Sequence, residues 1–152
     1  MNDCFVDSSA LVKNYVREAG SAVVRRLLDP AAQATITVAQ ITTVEVVAAL
    51  MRCGRRGDIA HEDAETLAAE FLWDVRNRVD VVPTSDAIVD ASVALTRQHV
   101  LRAYDAVQLA TAVATRATRV DRGLPPVVLV CSDRELNAAA RAEGLDVLDP
   151  TQ

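Results

Sequence analysis

Aromatic residues are nearly missing from this chain, at 3% of the sequence against 51% hydrophobic residues overall. The core must therefore be built from Val, Leu, Ile and Ala, and so apolar a composition excludes a disordered chain. Cysteine is scarce too. Cys4, Cys53 and Cys131 are odd in number, far apart and free of C-x-x-C spacing, which speaks against a disulfide framework or a zinc site. They read as reduced core thiols. No apolar run is long enough to span a bilayer, and the N-terminus lacks the basic flank and long apolar stretch of a secretory signal. A cytoplasmic protein with no membrane association is the expectation. All 16 basic residues except Lys13 are arginines, and the formal charge is -5. That balance argues against a protein that coats nucleic acid through many phosphate contacts. It does not exclude a nuclease whose carboxylates are neutralised by bound cations.

No repeat, low-complexity tract or Pro/Gly/Ser linker interrupts the 152 residues, so residues 1–152 read as one domain, long enough to bury roughly two thirds of its unfolded surface. Strand and helix patterns alternate. Apolar β-rich runs fall at 4–6, 35–38, 79–82, 127–131 and 146–148. Helical patterns fall at about 8–16, 20–28, 42–54, 62–76, 85–98, 103–117 and 134–143. Ser8 or Ser9 is expected to cap the first helix. Thr42 with Glu45 and Ser132 with Glu135 have capping-box spacing, and Gly54 and Gly57 close the helix at 42. The alternation implies an α/β fold with a mostly parallel central sheet of about five strands and helices on both faces.

In such sheets ligands bind beyond the carboxyl ends of the strands, where strand order reverses. Asp7 and Asp133 each follow an expected strand at that end. Asp is also a favoured helix cap, but the neighbouring serines offer to cap instead. Asp105 interrupts a helix whose neighbours Ala106, Val107, Leu109 and Ala110 suggest burial. A carboxylate taken out of water there costs several kcal/mol unless it meets a cation or several donors, with an ion pair to Arg102 as the structural alternative. Glu45 has its own structural explanation in the capping box, yet its helix neighbours are apolar. Four such acids brought together repel by roughly 4 kcal/mol per pair at about 4 Å and an effective dielectric near 20. Hard oxygen donors suit magnesium or manganese. His61 and His99 lie in polar surroundings and read as surface groups.

The segments FVDSSALVK around Asp7, TTVEVVAAL around Glu45, LRAYDAVQLA around Asp105 and VLVCSDRELNAAARAEGL around Asp133 resemble the four acidic motifs of PIN-domain ribonucleases, specifically the VapC-type toxins of toxin-antitoxin modules. All four occur in order and span nearly the whole chain. The resemblance implies a three-layer PIN-like fold and an endoribonuclease in which Asp7, Glu45, Asp105 and Asp133 bind Mg2+ or Mn2+ and cleave RNA. It also implies a homodimer and a VapB-type antitoxin that inserts a segment into the groove beside the site. One departure stands out: many members carry Thr or Ser two positions before the fourth acid, where this chain has Cys131, with a hydroxyl at Ser132. Whether Ser9 or Ser132 assists the site stays open at this point.

For RNA contacts the candidates are Arg52, Arg55 and Arg56, with Arg97 and Arg102 as a second set, and Tyr15, Tyr104, Phe71 and Trp73 as stacking groups, Phe71 being the best core candidate. Apolar residues between 42 and 78, including Leu67, Phe71 and Trp73, suit either a partner helix or packing of two helices on each other. The competing function is a non-catalytic PIN-like RNA- or partner-binding domain. A haloacid dehalogenase-class phosphatase needs a second Asp two residues after the first, where Ser9 stands. The chain is also too short for the DNA-binding elements of flap nucleases.

Overall fold

A computed structural model of the chain describes residues 3–152. Met1 and Asn2, part of the segment read for a secretory signal, lie outside the described residues. In chain order the elements are β1 (Cys4–Val6), α1 (Ser8–Leu11), α2 (Ser21–Leu27), β2 (Ile36–Ala39), α3 (Gln40–Arg56), α4 (His61–Asn77), β3 (Asp80–Val82), α5 (Asp86–Gln98), α6 (Ala103–Asp121), β4 (Val128–Val130), α7 (Arg134–Ala142) and β5 (Asp146–Leu148). The five strands form one sheet in the order β3-β2-β1-β4-β5, and every pairing is parallel. The α/β three-layer expectation is met. The chain leaves β1 toward β2 and β3 on one side and later adds β4 and β5 on the other, so strand order reverses between β1 and β4.

Alternation along the inner strands builds the two outer layers. Cys4 and Val6 of β1, Ile36 and Val38 of β2, and Val130 of β4 pack with Leu11, Val24, Val46, Leu50 and Phe71 from α1 to α4. Phe5 and Leu129 point the other way, against Ile88, Leu95, Leu109, Leu136 and Ala140 from α5 to α7. β1 and β2 are covered on both faces, which is why β1 reads as an unbroken apolar run and β2 carries only the buried Thr37 among its apolar residues. Among the described residues no helix is long and apolar enough to cross a membrane.

Several local expectations are corrected. Ser8 and Ser9 do not cap α1: Asp7 does, its carboxylate accepting from the Ser9 amide, and the two serines are already inside the first turn. α1 lasts only to Leu11 before tightening into a 3-10 turn over Val12–Asn14. Neither capping box forms. α3 starts at Gln40, two residues before Thr42, so Thr42 is buried inside the helix. α7 is capped by Asp133, which accepts from the Leu136 amide, rather than by Ser132. Gly57, with φ 78, does terminate α3, whereas Gly54 lies within it where a Cβ would sit 2.9 Å from that of Ala64 on α4. That close approach packs α3 on α4, and Leu67 and Phe71 go into the shared core. Of the three apolar groups singled out in that region, only Trp73 stays exposed. Cys4 and Cys131 are buried thiols as expected, but Cys53 is only half-buried.

Candidate functional site

Four elements deliver the four acids to the reversal point. β1 ends directly at Asp7, and the chain leaving β4 reaches Asp133 as it turns into α7. Glu45 sits in the second turn of α3, and Asp105 in the first turn of α6, where the positive end of the helix dipole favours an anion. Asp7 is 3% exposed. Its Oδ2 accepts from the Ser9 amide at 2.9 Å, from Ser9 Oγ at 2.6 Å and from Cys131 Sγ at 3.6 Å. The other three acids are half-buried. Asp133 Oδ1 accepts from the Leu136 amide at 2.8 Å. Glu45 Oε2 accepts from Gln108 Nε2 at 2.7 Å.

Burial pushes the Asp7 carboxyl above the usual carboxylate range, and the neutral donors Ser9 and Cys131 offset this only in part. Glu45 is raised by burial, against the opposing hydrogen bond from Gln108, and further by the charges of Asp7 and Asp105. Asp105 is raised by burial and then by Asp133 and Asp7, while Arg102 merely tempers it. Glu45 and Asp105 therefore each feel other acids of the set. Among the described residues no ion pair engages any of the four, so the ion pair weighed for Asp105 does not form. Nor do any three His, Cys, Asp or Glu side chains close into a ready-made metal cage among the described residues. Magnesium gives up its waters reluctantly and is usually held by one or two carboxylates with several waters between. The donors are all carboxylate oxygens, unneutralised and repelling, and they fit a hard divalent cation.

Of Ser9 and Ser132 it is Ser9 whose hydroxyl reaches the acids, and the Ser8 side chain hydrogen-bonds to Glu45 as well. Ser9 Oγ donates to Asp7 and accepts from the Ser132 amide at 3.0 Å, whereas Ser132 Oγ is buried without a partner. Cys131 takes part as well: besides facing Asp7, its Sγ accepts from the Asp133 amide at 3.3 Å, so one thiol spans two of the acids. Gln108 carried no expectation; the available signal was a polar residue within the apolar face of Leu109 and Ala110.

A cleft of about 620 Å³ opens beside the acids, with Glu45 and Ser9 at its wall and Val44, Arg52, Arg102 and Tyr104 around it. Of the candidate arginines, Arg52 and Arg102 line it. Arg55, Arg56 and Arg97 do not, and Arg56 pairs with Asp58. Tyr104 is 60% exposed at its edge, while Tyr15 is occupied as a donor to Asp74 and meets Phe71 edge-on. Trp73 lies under the Arg78 guanidinium. His61 is exposed, but His99 is not a free surface group, because its Nε2 lies 2.7 Å from Glu143 Oε1.

Fold and site together define a parallel α/β protein with an acidic centre at the strand reversal. Residues 4–142 match the PIN domain family. Ribonuclease VapC45 and Ribonuclease VapC49, from two strains of Mycobacterium tuberculosis, are each 33% identical over 153 residues, covering 96% of this chain and 97% of theirs. Among solved structures, a toxin-antitoxin complex from Klebsiella pneumoniae superposes with a TM-score of 0.64 at 17% identity, covering 97% of this chain and 98% of that one. Mycobacterium tuberculosis VapC20, described as a sarcin-ricin loop cleaving toxin, gives 0.61 at 18% identity, covering 90% of this chain and 95% of that one. The chain therefore belongs to the PIN-domain family, in its VapC ribonuclease branch.

Proposed function

We propose that residues 1–152 act as one domain, a cytoplasmic endoribonuclease and the toxin of a toxin-antitoxin module, using Mg2+ or Mn2+ held by Asp7, Glu45, Asp105 and Asp133. What supports this reading is that Asp7, Glu45 and Asp105 are all raised by burial, Glu45 and Asp105 also by the charges of neighbouring acids, and that among the described residues no ion pair engages any of the four. When bound, the ion lowers the pKa of a water it carries and stabilises charge growing on the phosphate oxygens during in-line attack. The chain's own part is orientation. Ser9 and Cys131 fix Asp7, the turn into α7 fixes Asp133, and Gln108 fixes Glu45. In the cleft, Arg52 and Arg102 meet backbone phosphates and the exposed face of Tyr104 stacks on an unpaired base.

The apolar wall of that cleft, with Val44 66% exposed, would take an inserted segment of a VapB-type antitoxin, as the toxin-antitoxin complex among the structural relatives suggests. Homodimerisation is the remaining part of the proposal, supported by the exposed Val89, Val93 and Val100 along and after α5. A fluorogenic single-stranded RNA incubated with the purified chain and Mn2+ tests the central reading. Cleavage abolished by chelator and restored by excess metal supports it. Binding of the RNA without chelator-sensitive turnover would identify a non-catalytic PIN-like binding domain instead.

A further inference from the structure

Gln108 is 1% exposed on α6, one turn beyond Asp105 and on the same side of that helix. Its carboxamide nitrogen reaches across to α3 and donates two hydrogen bonds, to Thr42 Oγ1 at 2.7 Å and to Glu45 Oε2 at 2.7 Å. Thr42 and Glu45 are themselves one turn apart, so a single amide bridges two rungs of α3 from the helix that presents Asp105. The other end of the same amide is unmet: Gln108 Oε1 is buried and has no hydrogen-bond partner.

A glutamine kept only for packing would be poorly chosen here, since an apolar side chain of equal volume would leave no orphaned oxygen. The unmet oxygen is tolerated because the nitrogen is needed. We infer that Gln108 is a positioning residue of the acidic centre: anchored on Thr42, its amide, with the Ser8 side chain as a second contact, holds the Glu45 carboxylate where it faces Asp7 and Asp105. It acts through Glu45 and touches no substrate. The kinetic part of its test rests on the nuclease reading above; the structural part does not.

The decisive variant is Gln108→Met, which keeps the volume and removes both hydrogen bonds, with Thr42→Val as a second that frees the anchor while leaving the Glu45 contact available. Cleavage of a short RNA should lose about 30-fold in kcat in Gln108→Met with KM within about twofold. On a Glu45→Gln background the same replacement should cost less than about threefold, because its effect passes through Glu45. Equal losses on both backgrounds, or no loss, would overturn the inference. Should the unmodified chain cleave no RNA, the nuclease reading falls by itself, and the position of Glu45 in crystals of Gln108→Met decides the matter. A displaced or disordered carboxylate supports the assignment and an unmoved one refutes it. Should Gln108→Met fail to fold, Thr42→Val is read by the same two measurements.

Discussion

Asp3 and Asp7 stand at the two ends of the same three-residue strand and meet opposite fates. Asp3 takes the Thr35 amide on Oδ1 at 2.7 Å and the Arg119 guanidinium on Oδ2. Burial alone would raise its carboxyl, but these donors outweigh it and hold the group below its ordinary range. Asp7 is almost fully buried, receives only neutral donors, and is held above that range. A carboxylate that serves the fold is given its counter-charge by the fold. One left without it is, on the proposed reading, open to a charge that comes from outside.

The comparison can be broken most severely at the reserved end. Asp7→Asn keeps a good helix cap and removes a buried charge, so the melting temperature should not fall, while metal-dependent RNA cleavage should fall by about a thousandfold or more. Undiminished cleavage would remove Asp7 from the site. At the other end, Asp3→Asn should cost about 2 kcal/mol in denaturant unfolding, since it strips charge from a largely buried pair, and leave kcat unchanged. Between the two, Ser9→Ala removes the hydroxyl that orients Asp7 and should lower kcat about tenfold without comparable loss of stability.

Proton linkage sharpens the contrast. Because the folded-state carboxyls of Asp7, Glu45 and Asp105 are raised, their ionised forms oppose folding. Metal-free stability should therefore rise as pH falls from neutral through those raised values, and stop rising near the ordinary carboxylate range of about 4. Asp3 works the other way: its contribution is present above its unfolded value and is lost as pH falls through its lowered folded one. Manganese should flatten the acid-side gain, because a bound cation removes the repulsion being titrated. The smallest stability change belongs to Asp105→Asn, which should raise the metal-free melting temperature by roughly 1–3 °C at neutral pH while abolishing cleavage, an exchange of stability for function. Thermal scans across pH, with and without Mn2+, read both effects.

The order of strands and helices was legible because alternation and apolar runs report burial directly. β5 at Asp146–Leu148 and the long amphipathic α4 fall where periodicity places them. Caps were less legible. Asp7 and Asp133 each turn out to cap a helix and to belong to the acidic centre, two roles that sequence reasoning had set against each other. A carboxylate has two oxygens, and committing one to a backbone amide fixes where the group stands. The Thr42 capping box failed because α3 begins earlier and tertiary packing draws Thr42 under Gln108. That contact joins residues 66 apart in sequence, the Cys131–Asp7 contact joins residues 124 apart, and no local spacing announces either. Of the arginines, only the fold could sort Arg52 and Arg102 into the cleft.

The central claim is that the four acids share a cation, and anomalous scattering from crystals soaked in manganese tests it most directly. The account predicts one or two anomalous peaks amid Asp7, Glu45, Asp105 and Asp133, lost in Asp7→Asn. Saturating manganese with no peak among these carboxylates would contradict it.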